Sequence, residues 1–170
     1  MERRLQKEKK QLIEKGYNPV LTKKGTSEYF FSATVQVVNY KAKVENIVVP
    51  YNYPFGKPDV HKVKISLFDK ESDELISGSV IQGKQAISQR LMRSGIVDPE
   101  DPDEVRKFHN LFSLEDWGPT LTLEWLIEEN ILRILRKYVL LFSKKRKRED
   151  DELAAAIELS KRSYLKKLKF

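Results

Sequence analysis

The chain contains no cysteine, which excludes disulfides, thiolate zinc sites and a thiol nucleophile. Histidine is almost as scarce. With only His61 and His109 there are few candidates for imidazole acid–base chemistry. His61 is expected to open a strand as a structural residue, and spacing alone puts no serine, aspartate or second histidine beside His109. No apolar run approaches the roughly 20 residues that span a bilayer, and Met1 to Lys10 is too charged for a secretory signal. These absences lead us to expect an intracellular, soluble protein, nuclear or cytoplasmic, with no metal or other cofactor.

What is present suits one core-forming domain with an appendage: 170 residues, of which 40% are hydrophobic and 34% charged. The net charge of +7 and pI near 9.4 permit acidic partners, nucleic acid or an anionic membrane surface. The basic excess concentrates at the two ends of the chain.

Glu2 to Lys15 lacks Gly and Pro and is closed by Gly16, which predicts a first helix. Its aliphatic residues Leu5, Leu12 and Ile13 make one narrow stripe for a sheet edge, with the lysines solvated. Val20 to Thr22, Glu28 to Val38, Lys41 to Val49 and His61 to Leu67 alternate apolar and polar residues as four strands of an antiparallel meander. Between the third and fourth lies a crossover stiffened by Pro50, Pro54 and Pro58. Its Tyr51, Tyr53 and Phe55 are expected to pack back onto the sheet. Lys84 to Arg93, closed by Gly95, predicts a short helix. The acidic, proline-broken run Asp98 to Glu104 predicts a solvated loop rather than a cation site, because linear proximity does not make ligands converge. Thr122 then caps a long helix whose Leu123, Leu126, Ile127, Ile131, Ile134, Leu135, Tyr138, Val139 and Phe142 form one broad core face. Trp125, Leu132, Leu140 and Leu141 lie off that stripe and await cover from the C-terminal segment or a partner.

Two segments carry a family resemblance. Tyr53, Pro54, Phe55, Pro58 and Val60 match the Tyr-Pro-Phe-x-x-Pro-x-Val segment that follows the third strand of ubiquitin-conjugating (UBC-like) domains. Trp117-Gly118-Pro119-Thr120-Leu121-Thr122-Leu123 resembles that family's Trp-x-Pro-x-Leu-Thr-Ile. The resemblance implies, over residues 1–142, an α+β UBC-like fold with an N-terminal helix, a four-stranded antiparallel meander and a long C-terminal helix. It also implies that the first helix serves an activating enzyme, beside the plainer reading of a solvated face.

The family's His-Pro-Asn tripeptide and catalytic cysteine are both missing. Eight residues before Trp117 stands His109, within Phe108-His109-Asn110. Asn110 has no thioester oxyanion to stabilise, and Ser113 sits closer to Trp117 than the family's nucleophile does. The chain therefore resembles a catalytically inactive ubiquitin-conjugating enzyme variant, not an enzyme.

Residues 143–148 read as a basic linker. Its cluster Lys144, Lys145, Arg146, Lys147 and Arg148 suits nuclear import, phosphate binding or plain solvation. Residues 149–170 read as an amphipathic tail helix. An acidic run, then Leu153, Ala156 and Ser160 at three- and four-residue spacing, resembles a ubiquitin-interacting motif, with Ile157 on the same face. A departure follows, since Lys161, Arg162 and Ser163 stand where the motif often has an acidic residue. The other reading folds this helix back on the domain through Leu153, Ile157, Tyr164 and Leu168.

The combined expectation is a non-catalytic UBC-like protein that binds ubiquitin or a ubiquitin-like protein and scaffolds a conjugation or sorting complex with a conjugating or ligase enzyme. A basic module that associates with nucleic acid through the tail is the alternative, although the basic runs lack the interleaved aromatics of a stacking platform. An enzyme using His109 or Ser113 is the third reading.

Overall fold

A computed structural model of the chain describes residues 1–98, 100–110 and 114–168, excepting the side chains of 107–110, 144–146 and 164–168. The fold is α+β. Helix α1 (Glu2–Glu14) leads into an antiparallel sheet in the order β1 (Val20–Lys24), β2 (Glu28–Val37), β3 (Tyr40–Val49), β4 (Lys64–Asp69) and β5 (Ile81–Gln82). Helices α2 (Lys84–Arg93) and α3 (Pro102–Asn110) follow. The C-terminal rod comprises α4 (Leu123–Leu126), a π-helical turn (Ile127–Ile131) and α5 (Leu132–Leu168). The four strands expected from the sequence are joined by a fifth, two residues long, which pairs Lys64 with Gln82 and Ile65 with Ile81.

The strands alternate, and their inward residues make the core. Phe31, Ala33, Val35 and Val37 of β2, Ala42, Val44, Ile47 and Val49 of β3, and Ile65 and Leu67 of β4 are all buried. A bulge between Phe31 and Ala33 keeps that pattern in phase. Phe31 pairs with Ile47 and Ala33 with Val44, so two residues of β3 oppose one of β2, and Asn46 takes up the kink at φ +64°. Onto this face the C-terminal rod lays Leu123, Leu126, Ile127, Ile131, Ile134, Leu135, Tyr138, Val139 and Phe142, the stripe that the 3.6-residue period predicts. Ile87 and Leu91 of α2 close the core.

Several boundaries differ from expectation for local reasons. The fourth strand starts at Lys64, not His61, because Asp59 Oδ1 accepts from the His61 amide and Val60 O from the Val63 amide, which turns the chain first. Of the three aromatics after β3, Tyr53 is buried, whereas Tyr51 and Phe55 are 68% and 79% exposed. Amides of Phe55 and Gly56 both donate to Asn52 O, a turn tight enough to throw the Phe55 ring outward. The acidic run is not wholly loop. Pro102 occupies the first position of α3, and Asp101 Oδ1 accepts from the amides of Asp103 and Glu104, a helix start that proline and aspartate favour. In α1, Ile13 is exposed and the buried stripe is Leu5, Glu8 and Leu12, packed against α4.

The C-terminal segment makes one helix with the rod. Residues 143–148, expected as a linker, lie inside α5, and the tail expected as a separate helix continues it as far as Leu168. No Gly or Pro follows Pro119, and lysine, arginine, glutamate and alanine all favour helix, so no stop signal exists. Among the described residues, no helix is long and apolar enough to cross a membrane.

Candidate functional site

The two segments quoted for the resemblance meet in space. The Tyr53 and Trp117 ring centroids lie 5.8 Å apart, and Trp117 packs edge-on against Trp125 at 6.0 Å. Trp117 Nε1 donates to Pro54 O at 2.8 Å. Pro58 is buried, while Pro119 is exposed. The Tyr53–Pro54 peptide bond is cis.

A buried carboxylate that the sequence reading assigned no role joins these segments to α1. Both oxygens of Glu8 accept from the Tyr53 hydroxyl, at 2.6 and 2.9 Å. Oε1 also accepts from the Leu123 amide at 2.8 Å, and Oε2 from Arg4 Nε at 3.2 Å. Arg4 in turn donates to Leu121 O at 2.7 Å. The Leu123 amide is one of the donors that a helix N-terminus leaves without an intrahelical acceptor, and a carboxylate there also suits the helix dipole. Thr122 Oγ1 caps the same terminus by accepting from the Trp125 amide. Burial, reinforced by the bond to Glu8, pushes the Tyr53 hydroxyl far above the usual phenol range, so it stays a donor. The helical spacing of Arg4 and Glu8 in an otherwise charged helix was the available signal.

A second anchor fixes the far end of α1. Lys15 bonds Glu124 and Glu128, and Tyr17 OH donates to Glu128 at 2.9 Å. The bond it donates to Glu124, then that to Glu128, raises the Lys15 ammonium above its usual range, while Lys15 foremost holds Glu128 below the usual carboxylate range.

The exposed surface of α5 is different in character. Every described side chain from Lys147 to Ser163 is solvent-exposed. Leu153 and Ile157 are 61% and 48% exposed on either side of Ala156, with Ser160 on the same face at the three- and four-residue spacing. Neither Leu153 nor Ile157 packs back on the domain; Tyr164 and Leu168 fall outside the described side chains. Lys147 and Arg148 are exposed one turn before Asp151 and Glu152, whereas Lys144, Lys145 and Arg146 fall outside the described side chains. Beside the middle of α5, a polar cleft of about 570 Å³ is lined by Asn39, Tyr40, Asp69, Lys70, Glu71, Ser143, Lys147 and Asp150.

His61 is exposed, while the His109 and Asn110 side chains and all of Ser113 lie outside the described residues. The acidic residues around the start of α3 are occupied. Asp98 Oδ1 accepts from the Glu100 amide, Asp103 pairs with Arg106, and Glu104 pairs with Lys137. Among the described residues, no group of three His, Asp or Glu side chains is arranged to hold a metal ion. Comparisons with models of known families, with curated proteins and with solved structures find no match to this chain.

Proposed function

We propose that the chain is a non-catalytic UBC-like protein that binds ubiquitin or a ubiquitin-like protein through the α5 face of Leu153, Ala156, Ile157 and Ser160. One observation carries this reading. Two large aliphatic side chains flank a small one on the stretch of α5 from Lys147 to Ser163, where every described side chain is exposed and burial against the domain would have hidden them. A small residue between two large ones lets an apolar patch approach the backbone closely. The acidic turn Glu149 to Glu152 beside it suits a partner patch rimmed by cations.

The mutual packing of the Tyr53–Pro54 and Trp117 segments supports the UBC-like reading, because it gives both motifs one structural reason to occur together. The absence of cysteine from the chain supports a scaffold rather than a thioester carrier. Exposed Tyr51 and Phe55 offer the domain a second apolar surface for a conjugating or ligase enzyme. Calorimetric titration of ubiquitin into the full chain and into Ala156→Arg tests the proposal. Binding that disappears in the variant, with its circular dichroism unchanged, is the expected result. Equal binding by both chains would remove the tail from the interaction.

A further inference from the structure

Helix α5 carries its core residues and its tail face on a single stripe. Leu135, Tyr138, Val139 and Phe142 are buried in the domain. Leu153, Ala156, Ile157 and Ser160 follow them, in the same order, each 18 positions later, which is five full turns of about 3.6 residues. The tail face therefore looks out from the same side of the helix as the core face, just beyond the end of the sheet.

That end of the sheet is built of two turns held together. The Lys70 amide donates to Asn39 O at 3.1 Å, tying the turn after β4 to the β2–β3 turn. Both line the cleft whose other wall is α5 at Lys147 and Asp150. The β2–β3 turn carries Val38 at φ +55° with its side chain 72% exposed. A β-branched residue is strained in that region, where glycine is free. The turn thus holds a largely exposed apolar side chain in a strained backbone conformation.

Asp150 precedes Ala156 by only about 9 Å of helix rise. A globular protein of about 70 residues has a radius of gyration near 11 Å. Seated on Ala156 on the core side of the helix, such a protein extends past the level of Asp150 and meets the two turns. We infer that ubiquitin, or the ubiquitin-like protein in its place, is gripped at a composite site: the tail face together with the domain turns bearing Val38, Asn39 and Lys70. This rests on the reading that the tail face is the binding element. The continuous helix then sets the angle between domain and ligand, which a flexible tether would leave free.

Unlabelled ubiquitin titrated into the isotope-labelled full chain reads both halves at once. A composite site moves the amides of Val38, Asn39 and Lys70 along with those of Leu153 to Ser160. It also weakens binding roughly five- to tenfold for Val38→Asp, with Val38→Gly as a version that relieves backbone strain while deleting the side chain. Two alanines inserted after Arg148 rotate the tail face by about 200° while keeping it helical, and the same weakening is expected there. Turn amides that stay still, with full affinity in the insertion variant, would overturn the composite site and leave the tail binding alone. Undiminished binding by Ala156→Arg would instead sink the tail reading, and the composite site with it.

Discussion

Replacing Glu8 with alanine removes the joint that ties α1, the Tyr53 segment and the start of the C-terminal rod together. The Glu8 side chain is 5% exposed and accepts from three partners. Alanine leaves the Tyr53 hydroxyl and the Leu123 amide without their acceptor, and deprives Arg4 of its counter-charge. Each stranded buried donor costs about 1–3 kcal/mol, whereas Arg4, a third exposed, keeps its bond to Leu121 O and turns to water at small cost. With both donors stranded, a loss of about 3–5 kcal/mol is expected, a large share of the roughly 5–15 kcal/mol that stabilises a domain. Glu8→Gln keeps one carbonyl acceptor and the shape but loses the charge, so a smaller loss of about 1.5–3 kcal/mol is expected. Equilibrium denaturation followed by tryptophan fluorescence reports directly, because Trp117 and Trp125 sit in the same cluster. An alanine variant within about 1 kcal/mol of the parent would refute the reasoning, since no buried joint could be present.

Trp117→Phe deletes the donor to Pro54 O while keeping an aromatic ring, and a loss of about 1–2 kcal/mol is expected as a lower denaturation midpoint with an unchanged slope. Glu128 is held below the usual carboxylate range by Lys15 and then Tyr17, so its contribution is present above about pH 4.5 and fades as pH falls through its lowered value. The stability gap between the parent and Glu128→Gln therefore narrows on acidification; a gap that widens would contradict this. Burial pushes the Tyr138 hydroxyl up to about 12, so stability tied to its neutral form is full below about pH 10 and is lost as pH rises from there towards 12. Tyr138→Phe should flatten that alkaline slope in pH-dependent melts.

The sequence was most legible where one signal decided the outcome. Gly16 and Gly95 end α1 and α2, each at positive φ, and Thr122 caps the rod whose core stripe runs on through the π-helical turn to Phe142. Legibility failed where two signals competed. The acidic run before α3 reads as solvated loop by charge, yet Asp101 and Pro102 together form a helix start. Phe55 reads as core by hydrophobicity, but the turn that accepts its amide at Asn52 O turns the ring outward. The basic run reads as linker by composition, although every residue in it tolerates helix. For the candidate site, Leu153, Ala156, Ile157 and Ser160 share a face from spacing alone. Their exposure and their phase with the core required the continuous helix. Glu8 was hidden because a lone carboxylate among lysines reads as surface until Tyr53 and Leu123, distant in sequence, come to it.

The central claim is tested most directly by titrating labelled ubiquitin with the full chain and with a chain ending at Arg148. The account predicts shifts on ubiquitin's apolar patch with the full chain that vanish on truncation. Shifts that persist unchanged with the shortened chain would place recognition on the domain instead, and none with either chain would leave ubiquitin outside its partners.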